Sequence, residues 1–562
     1  MNIMIHTPNL SGKTINASDF GMDTKLSDNS QPLQQAIRFC KNIPGCRLNI
    51  APGTYRFQNQ QYIALEDFTD FCLDGNNAEF IFDGPNYFLL QHCLRVEIMN
   101  LILDYNWDLF RPASLCKVIE NRTDQHTITL EFPELEIADT QISISSFNQF
   151  DPVALTPGAA NGKEIWLQKD SFAHVSLGNL PNRLILEYRD MQLKQLQPGE
   201  VYLARHIWQR DGCAFYINDS EHITLSENTI YSTIGMTHVI NGESSHCRFN
   251  GEKIMIRPDS NRHMSTDGDG IHVIRSKGYL VIENCDFSGM GDDDVNIHDC
   301  HMFVTKQESE HTILLENEGY GSAGHQLEVR NPDFSPTDCL LTLEQVEQTT
   351  EGRYRLHIAE AVPEWITEGY MLINRHYSSS HYIIRNNYFH QNRARGLLLQ
   401  CNHGRVEHNR FYRTQGAAIY VMLEALRGHW YEGSGVEDLV ICNNQFEECN
   451  YADWSSVIDI CSILPDESSV YATFRNIVIE NNLLSGYPSL ASYIANSDQV
   501  IYANNRLRTE SMHPSQIILE RCGNIRIENN QINGESLSQS SIVSVDDISY
   551  RKKIKFFSSL YQ

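Results

Sequence analysis

The sequence predicts an all-β fold, a right-handed parallel β-helix with an N-terminal capping helix and two inserted small β-domains. Three observations carry this expectation. Short strand-like segments ending in asparagine recur at a nearly constant interval. Within them apolar and polar residues alternate, the pattern of strands and not of helices. One amphipathic helical stretch precedes the repeats, and two long stretches interrupt them.

The repeats are HITLSENTI (Asn228), YLVIENCDF (Asn284), YIIRNNYF (Asn386, Asn387), GRVEHNRFY (Asn409), LVICNNQF (Asn443, Asn444), IVIENNLL (Asn481, Asn482), VIYANNRL (Asn504, Asn505) and IRIENNQI (Asn529, Asn530). The interval is 22 residues from Asn387 to Asn409, 23 from Asn482 to Asn505 and 25 from Asn505 to Asn530, while gaps of 35 and 38 hold loops. A unit of this length with a few short strands is one coil of a solenoid. Asparagine tolerates the left-handed backbone of a tight corner, and identical asparagines on successive coils can stack in a hydrogen-bonded ladder. These asparagines are therefore read as structural.

SDNSQPLQQAIRFCKN sets Leu33, Ala36, Ile37 and Cys40 on one face of a short helix fit to cover the open end. The interruptions define the expected organisation. Residues 1–105 are cap and first coils, 106–205 one insert, 206–301 coils, 302–374 a second insert, and 375–562 the C-terminal coils. Both inserts are rich in alternating strands and end alike, in VYLARH (Arg205, His206) and MLINRH (Arg375, His376). The likeness suggests an internal duplication or a common way of docking, with these basic residues bracing the inserts.

Composition narrows the function. A net charge of −27 repels phosphate backbones and anionic lipid surfaces, so neither nucleic acid nor membrane is expected as a partner. The fifteen cysteines include no CxxC pair, which favours free thiols over disulfides or zinc. No basic start leads into an apolar run at the N-terminus, and the expected compartment is the cytoplasm. The basic stretch Arg551–Lys555 is read as a solvated end.

Two acidic motifs stand one coil apart. TDGDGIHVI holds Asp267 and Asp269, and GMGDDDVNIH holds Asp292, Asp293 and Asp294. Asp269 precedes Asp292 by 23 residues and Asp293 by 24, which sets them at one place on adjacent rungs. Clustered carboxylates suit glycoside hydrolysis, where one stays protonated to donate to the leaving oxygen and another stays ionised. Crowding raises one pKa and makes the protons a shared property. A solvated acidic turn explains DDD but not its register with DGDG. An EF-hand calcium loop fails at Ile271 and Gly278, which stand where ligands are needed. A calcium-assisted lyase would need a strong base, and no Lys or Arg lies between Lys277 and Lys306. No metal and no cofactor is expected.

These motifs carry a resemblance. TDGDGIHVIRSKGYLVIENCDFSGMGDDDVNIH is similar to the catalytic coils of polygalacturonases, and more closely resembles glycoside hydrolase family 110, the exo-acting α-1,3-galactosidases. HYIIRNNYFHQNRARGLLLQCNHG and the two inserts resemble that family too. The resemblance implies an inverting hydrolase in which Asp292 is the general acid and Asp269 and Asp293 orient and deprotonate water. Inversion would set acid and base about 6.5–9.5 Å apart. Asp294 is expected to support and Asp267 stands in reserve. The polygalacturonase Gly-His-Gly and Arg-Ile-Lys pieces, which would hold a uronate, are absent, so the resemblance points to a neutral sugar. Candidate substrate contacts are His272 and His298 after the motifs, Arg393, Arg395, Gln400, Asn402 and His403 on the coil after the second insert, and Glu424, His429, Trp430 and Glu432 in the next long loop. Arg395, Asn402, Glu424 and Trp430 come first among them. The expected partner is a small oligosaccharide ending in α-linked galactose. Another terminal α-linked sugar, a non-catalytic carbohydrate-binding β-helix, and assembly as a homodimer stay open.

Overall fold

A computed structural model describes residues 2–545 apart from 59–61, 207–211, 467, 512 and 514. The basic stretch Arg551–Lys555 lies outside the described residues. The chain winds into a right-handed parallel β-helix. One sheet of 24 strands wraps two faces, and a sheet of 12 parallel strands forms the third. Inward side chains fill a single continuous core running from Ala17 to Leu519. The helix Ser30–Cys40 buries Leu33, Ala36, Ile37 and Cys40 against the first coils. No disulfide joins any of the fifteen cysteines. No helix among the described residues is long and apolar enough to cross a membrane.

The asparagine doublets divide their labour. The first of each pair takes the left-handed corner, with φ of 57° at Asn386 and Asn443, 56° at Asn481 and Asn504, and 55° at Asn529. The second points inward. Asn387, Asn409, Asn444, Asn482, Asn505 and Asn530 form a buried ladder in which each Nδ2 before the last donates to the next Oδ1 at 3.0–3.1 Å. Each ladder rung also satisfies a backbone group that the corner leaves without a sheet partner, as Asn444 Nδ2 does for the Val406 carbonyl at 3.0 Å. Phe287, Phe389, Phe411 and Phe446 stack alongside at 4.9–5.1 Å.

Both interruptions form antiparallel β-structures with their own apolar cores. They share one strand order. In the first it runs Phe172–Leu177, Arg183–Tyr188, Thr127–Glu131, Ala113–Arg122, Val201–Arg205, Ser146–Gln149. In the second it runs Pro336–Gln348, Tyr354–Ile358, Thr312–Leu315, His301–Ser309, Met371–Asn374, Gln326–Arg330. The second closes into a barrel through its end strands. The first instead adds an extra strand, Glu164–Trp166, beside Ser146–Gln149. Arg375 braces the barrel through Glu328 at 2.9 Å, and His376 reaches Glu243 on the coils at 2.5 Å.

The ladder makes a testable statement. Asn444→Ala leaves the Asn409 amide, the Val406 carbonyl and the Asn482 side chain short of partners in the core. The expected loss is about 1–3 kcal/mol, read as a lower thermal midpoint, and a variant as stable as the parent would refute a stabilising ladder.

Candidate active site

A cavity of about 1170 Å³ opens on the outer face of the 12-stranded sheet. Its floor is built by strands Ile271–Ile274 and Val295–His298, which pair in parallel with His272 beside Asn296 and Ile274 beside His298. The aspartates stand just ahead of these strands. The Gly270 amide donates to the Asp293 carbonyl at 3.0 Å, and the Asp293 amide donates to Asp269 Oδ1 at 3.2 Å. The one-coil spacing thus becomes physical contact. Gly291 is required for it, because a Cβ there would stand 2.6 Å from the Asp267 carbonyl.

One carboxylate oxygen each from Asp269, Asp292 and Asp293 lies within 4.8 Å of the others. This is closer than the 6.5–9.5 Å expected for acid and base of an inverting enzyme. Charge explains how the cluster tolerates the approach. Arg395 clamps Asp293 with Nε at 2.7 Å and Nη2 at 2.9 Å, and its backbone amide donates at 3.1 Å. Arg393 Nη1 stands 3.5 Å and Arg395 Nη2 4.0 Å from Asp292 Oδ1. Burial pushes the Asp293 carboxyl up to about 7 against the pull of Arg395, and Asp292 and Asp269 push the same way. The three oxygens could also meet at one cation, but the guanidinium of Arg395 already occupies both oxygens of Asp293. The coil of the cluster lacks a basic residue, yet the next coil supplies two. Arginine thus reaches the site from the next coil despite its absence from the motif, and both guanidinium groups are engaged by carboxylates, Arg393 by Glu164 and Arg395 by Asp293.

Asp269 is engaged on both oxygens. Oδ2 meets His272 Nδ1 at 2.7 Å, His272 Nε2 meets His298 Nε2 at 3.1 Å, and His298 Nε2 lies 3.8 Å from Glu432. Burial drives His298 down to about 4 and keeps it neutral at pH 7. His272 and His298, expected as sugar contacts, therefore first of all join Asp269 to Glu432. Glu432 also accepts from Gln400 at 2.9 Å.

Glu424 and Trp430 sit on the flap that closes one side. Glu424 and Glu432 face each other in an antiparallel bridge, with the Glu424 amide on the Glu432 carbonyl at 2.9 Å. His429 Nδ1 lies 2.7 Å from Glu424, whose carboxyl is raised by burial and by Glu432. Trp430 is 61% exposed at the rim. Arg427 ties the flap to the barrel through Glu316 and Glu368.

The first insert forms the opposite wall. Arg205 is fully buried, with Nε 2.9 Å from Asp267 Oδ1 and Nη1 3.3 Å from the Gly291 carbonyl. Arg393 Nη1 donates to the same carbonyl at 2.9 Å, and its Nε and Nη2 pair with Glu164 at 3.0 and 2.7 Å. Trp166 packs against both guanidinium groups at 5.2 and 5.1 Å. Asp267 is thus a counter-ion to Arg205, and Arg205 braces the aspartate coil as well as the insert.

Four expected contacts fall outside the cavity lining, Asp294, Gln400, Asn402 and His403. Asp294 is fully buried, its oxygens have no hydrogen-bond partner among the described residues, and burial with Asp293, Asp286 and Asp269 nearby holds its carboxyl well above the usual range. It cannot offer a sugar an ionised, accessible oxygen. Asn402 caps a corner, its Oδ1 accepting from the Glu437 amide at 2.8 Å. His403 beside it pairs with Asp438 on the outside. Sequence reasoning missed Glu164, Trp166, Tyr420 and Asp459. Only Asp459 left a signal, an acidic residue inside the apolar run SSVIDICSI.

Among the comparisons with known proteins, a family model agrees with this architecture. A family model described as "Right handed beta helix region" matches residues 366–462. Over 95% of the chain and 93% of the relative, the sequence is 26% identical to α-1,3-galactosidase B of Bacteroides thetaiotaomicron. It is 24% identical, over 95% of the chain and 93% of the relative, to α-1,3-galactosidase A of Shewanella woodyi. Among solved structures, a hyperthermoactive exopolygalacturonase from Thermotoga maritima aligns with 95% of this chain and 94% of its own at 13% identity and a TM-score of 0.44.

The wall contact is testable. Glu164→Ala strips the buried Arg393 of its carboxylate and should cost about 3–5 kcal/mol, measured as a lower denaturant midpoint. Adding Arg393→Met should recover part of that loss, and no recovery would refute the pairing as its cause.

Proposed function

We propose that the protein is a glycoside hydrolase that releases terminal α-linked galactose, α-1,3-linked by similarity to the curated galactosidases, from small oligosaccharides. One observation carries the proposal: three carboxylates from two sequence-distant motifs converge within 4.8 Å on the floor of a deep cavity. Asp292, which Arg393 meets at 3.5 Å and Arg395 at 4.0 Å, is the general acid. Asp269 and Asp293 hold and deprotonate the attacking water.

Charge supports a neutral sugar. The four arginines lining the cavity, Arg205, Arg393, Arg395 and Arg427, are each paired with a carboxylate. The remaining wall is acidic, with Asp292, Glu424 and Asp459, so a uronate would meet repulsion without a free cation. Trp430 offers an aromatic face to the apolar side of a sugar ring. The chain would act on its substrate in the cytoplasm.

Two stereochemical outcomes compete on specific observations. Inversion is favoured because Asp293 gives both oxygens to Arg395 and Asp269 gives its two to the Asp293 amide and His272, so neither is poised to bond carbon. Retention is favoured by the short spacing, near the 5–5.5 Å of nucleophilic pairs. Proton NMR of the first-formed galactose settles it: the β-anomer is expected, and the α-anomer would overturn the water mechanism.

Asp292→Asn should lower kcat by about 10²–10⁴-fold on unactivated α-galactosides through loss of the acid, with the fold intact by circular dichroism. Wild-type rates in that variant would refute the assignment. The cluster also predicts an acidic limb. Burial raises the Asp293 carboxyl to about 7, so below that pH it holds a proton and cannot take one from water. kcat/KM should therefore rise as pH rises through about 7. A profile flat through that pH would count against Asp293 as part of the base.

A further inference from the structure

The outward side chains of the cavity floor stand in a single file. Parallel pairing sets His272 beside Asn296, then Leu398, Tyr420, Asp459 and Tyr493, one on each rung. The first of these meets Asp269 at 2.7 Å. The last three extend the cavity beyond it.

Asp459 is the anomaly in this file. Strand Ser456–Ile463 sends Ile458 and Ile460 into the core and leaves Asp459 and Cys461 on the cavity side. Asp459 is only 2% exposed. Its Oδ2 accepts a hydrogen bond from Ser456 Oγ at 3.5 Å, the side chains of Ser455 and Cys461 and the Ser456 amide lie close enough to favour its ionised form, and its Oδ1 has no hydrogen-bond partner. No arginine, lysine or histidine forms an ion pair with it among the described residues. Burial pushes the carboxyl up to about 7. Asp294 shares this state but stands off the cavity lining, whereas Asp269, Asp292 and Asp293 on the cavity floor each have an arginine, histidine or amide partner. A buried carboxyl oxygen left unmatched costs stability and calls for an explanation beyond packing. Folds keep such groups where function needs them.

Its position says what the function is. Asp459 lies three rungs from Asn296, roughly 14 Å along the groove at about 4.8 Å per rung. One pyranose ring does not reach from the aspartate cluster to this point. Tyr420, between them, touches Cys461 Sγ with its hydroxyl at 3.1 Å, and Trp454 lines the same end of the cavity.

We infer that Asp459, with Tyr420 and Trp454 around it, forms a second subsite that holds the sugar on the leaving-group side of the scissile bond, a hydroxyl of that sugar meeting Oδ1. The assignment rests on the galactosidase reading above. It makes Asp459 a specificity determinant and not a catalytic residue. A sugar hydroxyl suits a carboxyl in either protonation state, since it can donate or accept.

Two substrates test it, α-1,3-galactobiose and p-nitrophenyl α-galactoside, whose leaving group carries no sugar hydroxyl. In Asp459→Asn and Asp459→Leu, kcat/KM should fall at least about tenfold further on the disaccharide than on the aryl galactoside, as expected for one lost hydrogen bond to a charged group. The thermal midpoint should hold or rise, because an unmatched buried carboxyl is removed. Equal losses on both substrates, or a lowered midpoint without discrimination between them, would overturn the subsite while leaving the galactosidase reading standing. A wild-type protein inert on both substrates would overturn that reading and the subsite with it.

Discussion

Two guanidinium groups converge on the carbonyl oxygen of Gly291, one residue before Asp292. Arg205 arrives from the exit strand of the first insert and Arg393 from the coil after the second. Their charges are balanced by Asp267 and Glu164, and Trp166 packs against both. Buried ions of this kind are expensive unless each is matched, so the clasp forms only when insert, aspartate coil and downstream coil are all in place. The geometry at Asp292 therefore depends on three segments far apart in the chain. The strand Glu164–Trp166, which the barrel insert lacks, exists where the clasp needs it.

The same logic explains how like charges share the cavity floor. A stack of parallel coils repeats position without regard to charge, and by itself would set Asp269 and Asp293 in mutual repulsion. Arg395 lies one rung further along, its carbonyl taking the Asp294 amide at 3.2 Å, and its side chain turns back onto Asp293. On the other flank the paired imidazoles of His272 and His298 carry Asp269 toward Glu432. Each carboxylate thus has a distinct environment, and environment is what separates acid from base among chemically identical side chains.

The coils themselves were legible in residue order. The asparagine interval, the strand alternation and the capping helix face all describe contacts between neighbours one coil apart, and a solenoid makes such contacts periodic. The join of DGDG with GDDD follows from the same rule. Two residues chosen by adjacency stand off the cavity lining. Asp294 follows Asp293 directly, but the backbone turns its side chain away from the cavity into a site that favours the neutral acid. Asn402 shares a coil with Arg395, yet it completes a corner. The spacing of acid and base was also beyond the sequence, because it depends on side-chain torsions under the pull of Arg393 and Arg395.

By itself the sequence determined the solenoid, its cap and the meeting of two aspartate motifs, because each of these is encoded by spacing along the chain. Only the tertiary structure decided which charges neutralise which. Arg205 with Asp267 and Arg393 with Glu164 are separated by 62 and 229 residues, and no periodicity connects them. The unmatched Asp459 likewise became visible only once every potential partner had been placed. Hydrogen bonding and charge pairing act over a few ångströms of space, and for an insert folded back onto its coil that distance bears no relation to distance in sequence.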